Sequence, residues 1–128
     1  MKYLLDTHVF LWYFWDSKDL SDCASDIIED NYAQKYVSIA SLWEFSVKYS
    51  MGKLAFDGGL AYLWDMLSQN NFIILPITQL QLETLISEIP FHHRDPFDRL
   101  IIATAKAEDL TIVTVDENIQ KYDVSWTW

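Results

Sequence analysis

The chain has 128 residues but only one cysteine, three glycines, three prolines and nine basic side chains. Each shortage excludes something. Cys23 has no partner for an internal disulfide and lies in a stretch with helical spacing, so it reads as a packed thiol. Few glycines and prolines in a chain that is 51% hydrophobic exclude a disordered or repetitive polymer and point to a compact fold. The longest apolar runs, such as Val9–Trp15 and Phe72–Ile77, fall far short of the roughly 20 residues that span a bilayer. Asp6 interrupts the start before the core of a secretory leader forms, so the expectation is a cytoplasmic protein. The length suits one domain over residues 1–128, with one core and one site.

The shortage of basic residues bears most on function. Nine Lys and Arg against 19 Asp and Glu give a net charge of −10, which argues against generic nucleic-acid binding on a basic face. A carboxylate cluster that takes up divalent cations reverses the charge locally, although the remaining surface stays acidic.

What the chain does have is a regular alternation. Lys2–Leu5, Tyr36–Ile39, Phe72–Leu75, Thr111–Thr114 and, more weakly, Val124–Trp126 read as strands. Between them, Val9–Trp15, Ser25–Tyr32, Leu42–Met51, Leu60–Leu67, Gln79–Ile86 and Phe97–Glu108 carry apolar residues at helical spacing. Strands separated by helices predict an α/β fold, a mainly parallel five-stranded sheet covered on both faces. Ser21 is placed to cap a helix, Gly52 to end one, and Asp95-Pro96 to open another. Asp57-Gly58-Gly59 and Phe91-His92-His93-Arg94 read as flexible connections.

In an open parallel sheet, ligands bind beyond the carboxyl ends of the strands. Asp6 ends the first strand and Asp116 the fourth, while Glu44 and Asp98 are expected in the first turns of the helices near that rim. Asp98 precedes Ile101, Ile102 and Ala105 on or beside a buried stripe, where a lone carboxylate is costly. Four converging carboxylates repel and call for a cation. An oxygen-only set suits Mg²⁺ or Mn²⁺, which activates water and stabilises the leaving oxygen of a phosphodiester.

Each acid also has a purely structural explanation. Ser41-Leu42-Trp43-Glu44 has capping-box spacing, and Glu44 lies four residues before Lys48. Asp98 complements a helix dipole, and Asp6 and Asp116 are placed to cap helices. Four separate accidents are a weaker account than one requirement met four times. Asp95 competes with Asp98 but fits a plain N-cap before Pro96. Thr7 and Thr114 either orient carboxylate, water or phosphate, or fill strand-compatible positions. Arg94 and Arg99 flank Asp98 and either meet phosphate or offset the acids. His8, His92 and His93 lack zinc-type spacing. The six tryptophans fall mostly in apolar helical runs, which reads as core or subunit contact, with Trp12, Phe14 and Trp15 marking an interface.

Leu4-Leu5-Asp6-Thr7-His8, Ser41-Leu42-Trp43-Glu44 with Lys48 and Gly52-Lys53-Leu54, Asp95-Pro96-Phe97-Asp98-Arg99 and Thr114-Val115-Asp116 together resemble PIN-domain proteins of the VapC type, in order and spacing along the whole chain. The resemblance implies a three-layer α/β/α fold and Mg²⁺-dependent cleavage of RNA. It also implies homodimers or larger toxin–antitoxin assemblies, and a small antitoxin that covers the active-site groove. Carried over by position, Asp6, Glu44 and Asp98 would be the core metal-binding acids, and Asp116 a further acid acting through water or a second metal. No basic tail is present, so Lys48, Lys53, Arg94 and Arg99 are the candidate RNA contacts. A receiver-like signalling domain fits less well, because the third strand ends Leu75-Pro76-Ile77 with no aspartate; an Asp-x-Asp phosphatase fails at Asp6-Thr7-His8. A catalytically silent PIN-like binding module is the remaining alternative.

Overall fold

The computed structural model describes residues 1–91 and 95–128. Five strands, β1 (Lys2–Leu5), β2 (Gln34–Ser38), β3 (Phe72–Leu75), β4 (Thr111–Val113) and β5 (Trp126–Thr127), form one sheet in the order β3-β2-β1-β4-β5. All four pairings are parallel. The helices among the described residues are α1 (Thr7–Phe14), α2 (Asp22–Glu29), α3 (Ile39–Ser50), α4 (Gly59–Gln69), α5 (Gln79–Glu88), α6 (Pro96–Glu108) and α7 (Glu117–Gln120).

Strand side chains alternate between two cores, because successive residues point to opposite faces. Leu5, Val37, Phe72 and Val113 join Val9, Phe10, Phe45 and Leu63 on the face covered by α1 to α4. Leu4 and Ile112 join Ile101, Ile102 and Ile119 on the opposite face, under α6 and α7. The result is the expected three-layer α/β/α arrangement. β1 is central, with neighbours on both sides, and both Leu4 and Leu5 are fully buried.

The chain proceeds from β1 to β2 and β3 on one side, then crosses to β4 and β5 on the other. The strand order therefore reverses between β1 and β4, and a crevice opens beyond their carboxyl ends. Asp6 and Asp116 follow those two strands directly. The backbone N–H of Asp6 donates to the carbonyl of Val113 at 3.1 Å, which fixes the two strand ends together.

The expected helix signals hold. Ser21 Oγ accepts from Ala24 N, and Gly52 follows the end of α3 at φ +70°, a backbone conformation that suits glycine. Asp95 caps α6 with Pro96 at its first position. One boundary differs in a way that matters. α3 begins at Ile39, not near Leu42, and its cap is Ser38, whose Oγ accepts from Ala40 N at 3.0 Å. Ile39 continues the apolar run of β2, so pattern alone assigned it to the strand; the hydroxyl of Ser38 stops the strand one residue earlier.

Candidate active site

Moving the start of α3 to Ile39 places Glu44 in its second turn and removes the capping-box explanation for that residue. Ser41 lies inside the helix, and its buried hydroxyl has no hydrogen-bond partner among the described residues. Glu44 is 5% exposed and binds two other groups. Thr7 Oγ1 donates to its Oε1 at 2.8 Å, and Lys48 Nζ donates to its Oε2 at 2.7 Å. The expected pairing four residues apart is thus present, with its acidic end buried and its ammonium partly open.

Asp6 is held as firmly. Its Oδ1 accepts from Thr7 N at 2.7 Å as the cap of α1, and its Oδ2 accepts from Thr114 Oγ1 at 2.9 Å. Burial pushes the Asp6 carboxyl above its ordinary range, and these two bonds work against that rise. Thr114 Oγ1 also accepts from Asp116 N at 3.0 Å, so one fully buried hydroxyl fixes both strand-end aspartates. Asp116 in turn caps α7, accepting from Asn118 N at 2.8 Å. Capping and site placement are therefore not alternatives at Asp6 and Asp116, since the cap is what holds each carboxylate at the rim.

Asp98 sits in the first turn of α6, three residues after its cap. The Asp98 carboxyl is pushed up to about 8, first by partial burial and then by the charges of Asp6, Asp95, Asp116 and Glu44. Three acids distant in sequence, Asp6, Glu44 and Asp116, thus act on one carboxyl together with the neighbouring Asp95. Asp95 Oδ1 accepts from Phe97 N and Asp98 N at 2.9 and 3.3 Å, which is its expected capping role, and its charge also acts on Asp98. The Lys48 ammonium is held above its usual range chiefly by the bond to Glu44, with Asp95 and Asp98 adding to it. Among the described residues no three acid, His or Cys side chains are closed around a single point that would hold an ion. The charges of Asp6, Glu44 and Asp116 reach Asp98, while hydroxyls and Lys48 hold two of those carboxylates.

The other candidates separate. Thr7 and Thr114 orient carboxylates rather than fill strand positions. Arg99 turns toward α5: its Nη2 donates to the Ile89 carbonyl at 3.0 Å and its guanidinium lies 3.7 Å over the Phe91 ring. Lys53 is exposed beyond α3. His8 is exposed and packs near Trp12. His92, His93 and Arg94 lie outside the described residues. Trp12 and Phe14 are half-buried against Trp128 and Phe72, while Trp15 is more open and lines a cavity of about 360 Å³ with Phe56 and Tyr62.

A PIN-domain family model matches residues 3–125, nearly the whole chain. The chain belongs to the PIN-domain family. No curated protein matches it in sequence. Solved structures similar to this PIN domain include VapBC2 from Rickettsia felis bound to a DNA fragment from their promoter, at TM-score 0.76 and 18% identity, covering 100% of this chain and 99% of that one. VapBC-1 from nontypeable Haemophilus influenzae matches at TM-score 0.71 and 14% identity over 99% and 97% of the two chains. FitAcB from Neisseria gonorrhoeae matches at TM-score 0.65 and 23% identity over 98% and 96%. At such identities the likeness shows the fold.

Sequence reasoning passed over one pair of residues beside the acids of this PIN domain. Trp43 is 59% exposed although it lies between the buried Leu42 and Glu44, and its ring meets that of Phe97 with centroids 5.0 Å apart. The available signal was position, since each ring immediately precedes a candidate acid. Helical spacing alone assigns the tryptophans to core or subunit contact.

Proposed function

We propose that this protein is a metal-dependent endoribonuclease, a VapC-like toxin neutralised by a cognate antitoxin in the cytoplasm. The observation that carries the reading is the pair of threonine clamps. Thr114 fixes Asp6 and Thr7 fixes Glu44 at the point where the strand order reverses, and the charges of Asp6, Glu44 and Asp116 bear on the Asp98 carboxyl. Placing a buried carboxylate at its rim position costs several kcal/mol unless it is hydrogen-bonded or neutralised. Such a cost fits a binding role for the group.

The donors are all oxygen, which fits a hard cation such as Mg²⁺ or Mn²⁺, and the Asp98 carboxyl, raised first by burial and then by four nearby acids, has negative charge around it that a cation offsets. Asp6, Glu44 and Asp98 would hold the metal, with Asp116 as a further acid. The bound metal would supply an activated water and charge stabilisation at the phosphodiester. This chain's own residues do the positioning: Thr114 and Thr7 fix carboxylate orientation, and Lys48 holds Glu44 and places an ammonium where a phosphate oxygen approaches. In a chain of net charge −10, the metal also makes the rim tolerable to RNA.

The test is cleavage of labelled RNA by purified protein with Mg²⁺ or EDTA, beside Asp6→Asn. Cleavage is expected only for the unaltered protein with Mg²⁺. Cleavage that ignores both changes overturns the mechanism.

The similar structures include VapBC assemblies and a toxin–antitoxin complex from Klebsiella pneumoniae, which supports an antitoxin partner for this chain. A homodimer is supported by α5, where Leu82 and Ile86 lie one turn apart on one face and Ile86 is 84% exposed. Apolar side chains exposed together on one helix face fit an interface. Analytical ultracentrifugation at micromolar concentration is expected to show a dimer for the unaltered chain and a shift to monomer for Ile86→Glu. A variant that stays dimeric removes α5 from the interface. No helix among the described residues is long and apolar enough to cross a membrane.

A further inference from the structure

An exposed tryptophan beside a buried glutamate invites the plain explanation that it braces α3 against α6. The contact with Phe97 does brace them, but it accounts for only part of the ring. The two rings meet at 65°, forming a corner rather than a stack, and more than half of Trp43 remains open to solvent. A brace alone is satisfied by leucine, which favours a helix more and exposes less apolar surface. The corner also stands at a particular place: Trp43 precedes Glu44 on α3, Phe97 precedes Asp98 on α6, and Lys48, one turn after Glu44, feels Asp95 and Asp98 at the start of α6.

Charge decides what kind of ligand this corner suits. The chain carries 10 more acidic than basic residues, and Arg99, a candidate phosphate contact, is engaged with the Ile89 carbonyl and the Phe91 ring. Phosphate contacts, the usual source of nucleic-acid affinity, are therefore scarce. Stacking of bases on aromatic rings is another source, worth about 1–3 kcal/mol per base and open to every base through its π-face.

We propose that Trp43 and Phe97 form a stacking platform for one unpaired nucleobase of the RNA whose phosphodiester lies at the acid cluster. The inference rests on the ribonuclease reading and deepens it, since a base that stacks here has left any duplex. Double-stranded RNA of the same sequence, its bases already stacked and paired, does not engage the corner.

The experiment maps the main cut in a single-stranded oligoribonucleotide, then measures kcat and KM for unaltered protein, Trp43→Leu and Trp43→Phe. The same kinetics are run on an RNA that is abasic at the nucleotide beside the cut. Trp43→Leu is expected to raise KM by about 10- to 100-fold with kcat little changed, and Trp43→Phe to recover much of the loss. The abasic RNA is expected to erase the difference between the proteins. Circular dichroism melting confirms that both variants fold. Quenching of tryptophan fluorescence by the oligonucleotide, with Ca²⁺ in place of Mg²⁺, reads the platform independently of cleavage, and Trp43→Phe is expected to remove that quenching. Equal KM values for all proteins, or an equal response to the abasic RNA, overturn the platform while leaving the nuclease intact. Quenching without any cleavage upholds the platform and sinks the nuclease; neither quenching nor cleavage sinks both. Unchanged RNA kinetics together with weaker binding of a co-purified protein assign the corner to that protein and overturn the base site.

Discussion

Asp98→Asn is expected to abolish RNA cleavage, by more than about 100-fold, and at the same time to stabilise the metal-free protein at pH 8. The first effect follows from the proposed role of Asp98 as a metal ligand among four other acids, since removing a direct ligand exceeds the roughly 10- to 100-fold typical of residues that only support one. The second follows from the burial of the same carboxyl and then from the charges around it. A carboxyl pushed up to about 8 from 3.8 binds its proton more tightly in the folded chain than in the unfolded one. Its contribution to stability is complete below about pH 4 and is lost as pH rises through about 8. The metal-free protein is therefore expected to melt lower at pH 8.5 than at pH 5.5. An asparagine amide carries no charge to repel, so Asp98→Asn flattens that slope. Because the carboxyl is partly open to water, screening limits the gain to roughly 3–5 °C at pH 8.5. Mg²⁺ is expected to raise the melting point of the unaltered protein at pH 8.5 and to do so much less for Asp98→Asn. A variant that loses stability with pH as steeply as the unaltered chain refutes the claim that burial and charge at Asp98 control it.

Such a trade between stability and activity also explains which features were readable without the fold. The strands were readable because β1, β3 and β4 are short apolar runs ended by polar residues or proline, and burial on both faces leaves few other ways to place them. The rim position of Asp6 and Asp116 followed from that reading. The partners of the acids were not readable. Thr7 lies 37 residues from Glu44 and Thr114 lies 108 from Asp6, and no local rule links hydroxyls to carboxylates across such separations. Sequence leaves both threonines balanced between filler and function; the pairing of β1 with β4 brings Thr114 to Asp6, and the packing of α1 on α3 brings Thr7 to Glu44. The Glu44 capping box was a false local signal, because Ser38 offered the same cap chemistry three residues earlier. Arg99 looks like a phosphate ligand from its neighbourhood in the chain, yet its guanidinium lies at the end of α5, where it donates to the Ile89 carbonyl.

Thr114→Val tests whether the bond from Thr114 to Asp6 matters for chemistry. Valine keeps the shape and removes the hydroxyl, which leaves Asp6 Oδ2 and Asp116 N without their present partners in a buried setting. Losing hydrogen bonds to a charged group there costs about 1–3 kcal/mol of stability. Activity is expected to fall roughly 10- to 100-fold, the usual effect of removing a residue that orients a metal-binding carboxylate. The pH profile distinguishes this from simple loosening. The Thr114 bond opposes the rise that burial imposes on the Asp6 carboxyl, so its loss pushes that carboxyl higher still. Asp6 must be ionised to bind a cation, and the acid side of the rate profile is therefore expected to move to higher pH in Thr114→Val. Thr114→Ser, which keeps the hydroxyl, is expected to keep both rate and profile near those of the unaltered protein. Thr7→Val is expected to cost less, because Glu44 retains its bond to Lys48 and only one hydroxyl contact is lost. A Thr114→Val protein with unchanged rate and unchanged pH profile shows that Asp6 needs no such clamp, and the geometry at the strand ends is then incidental to activity.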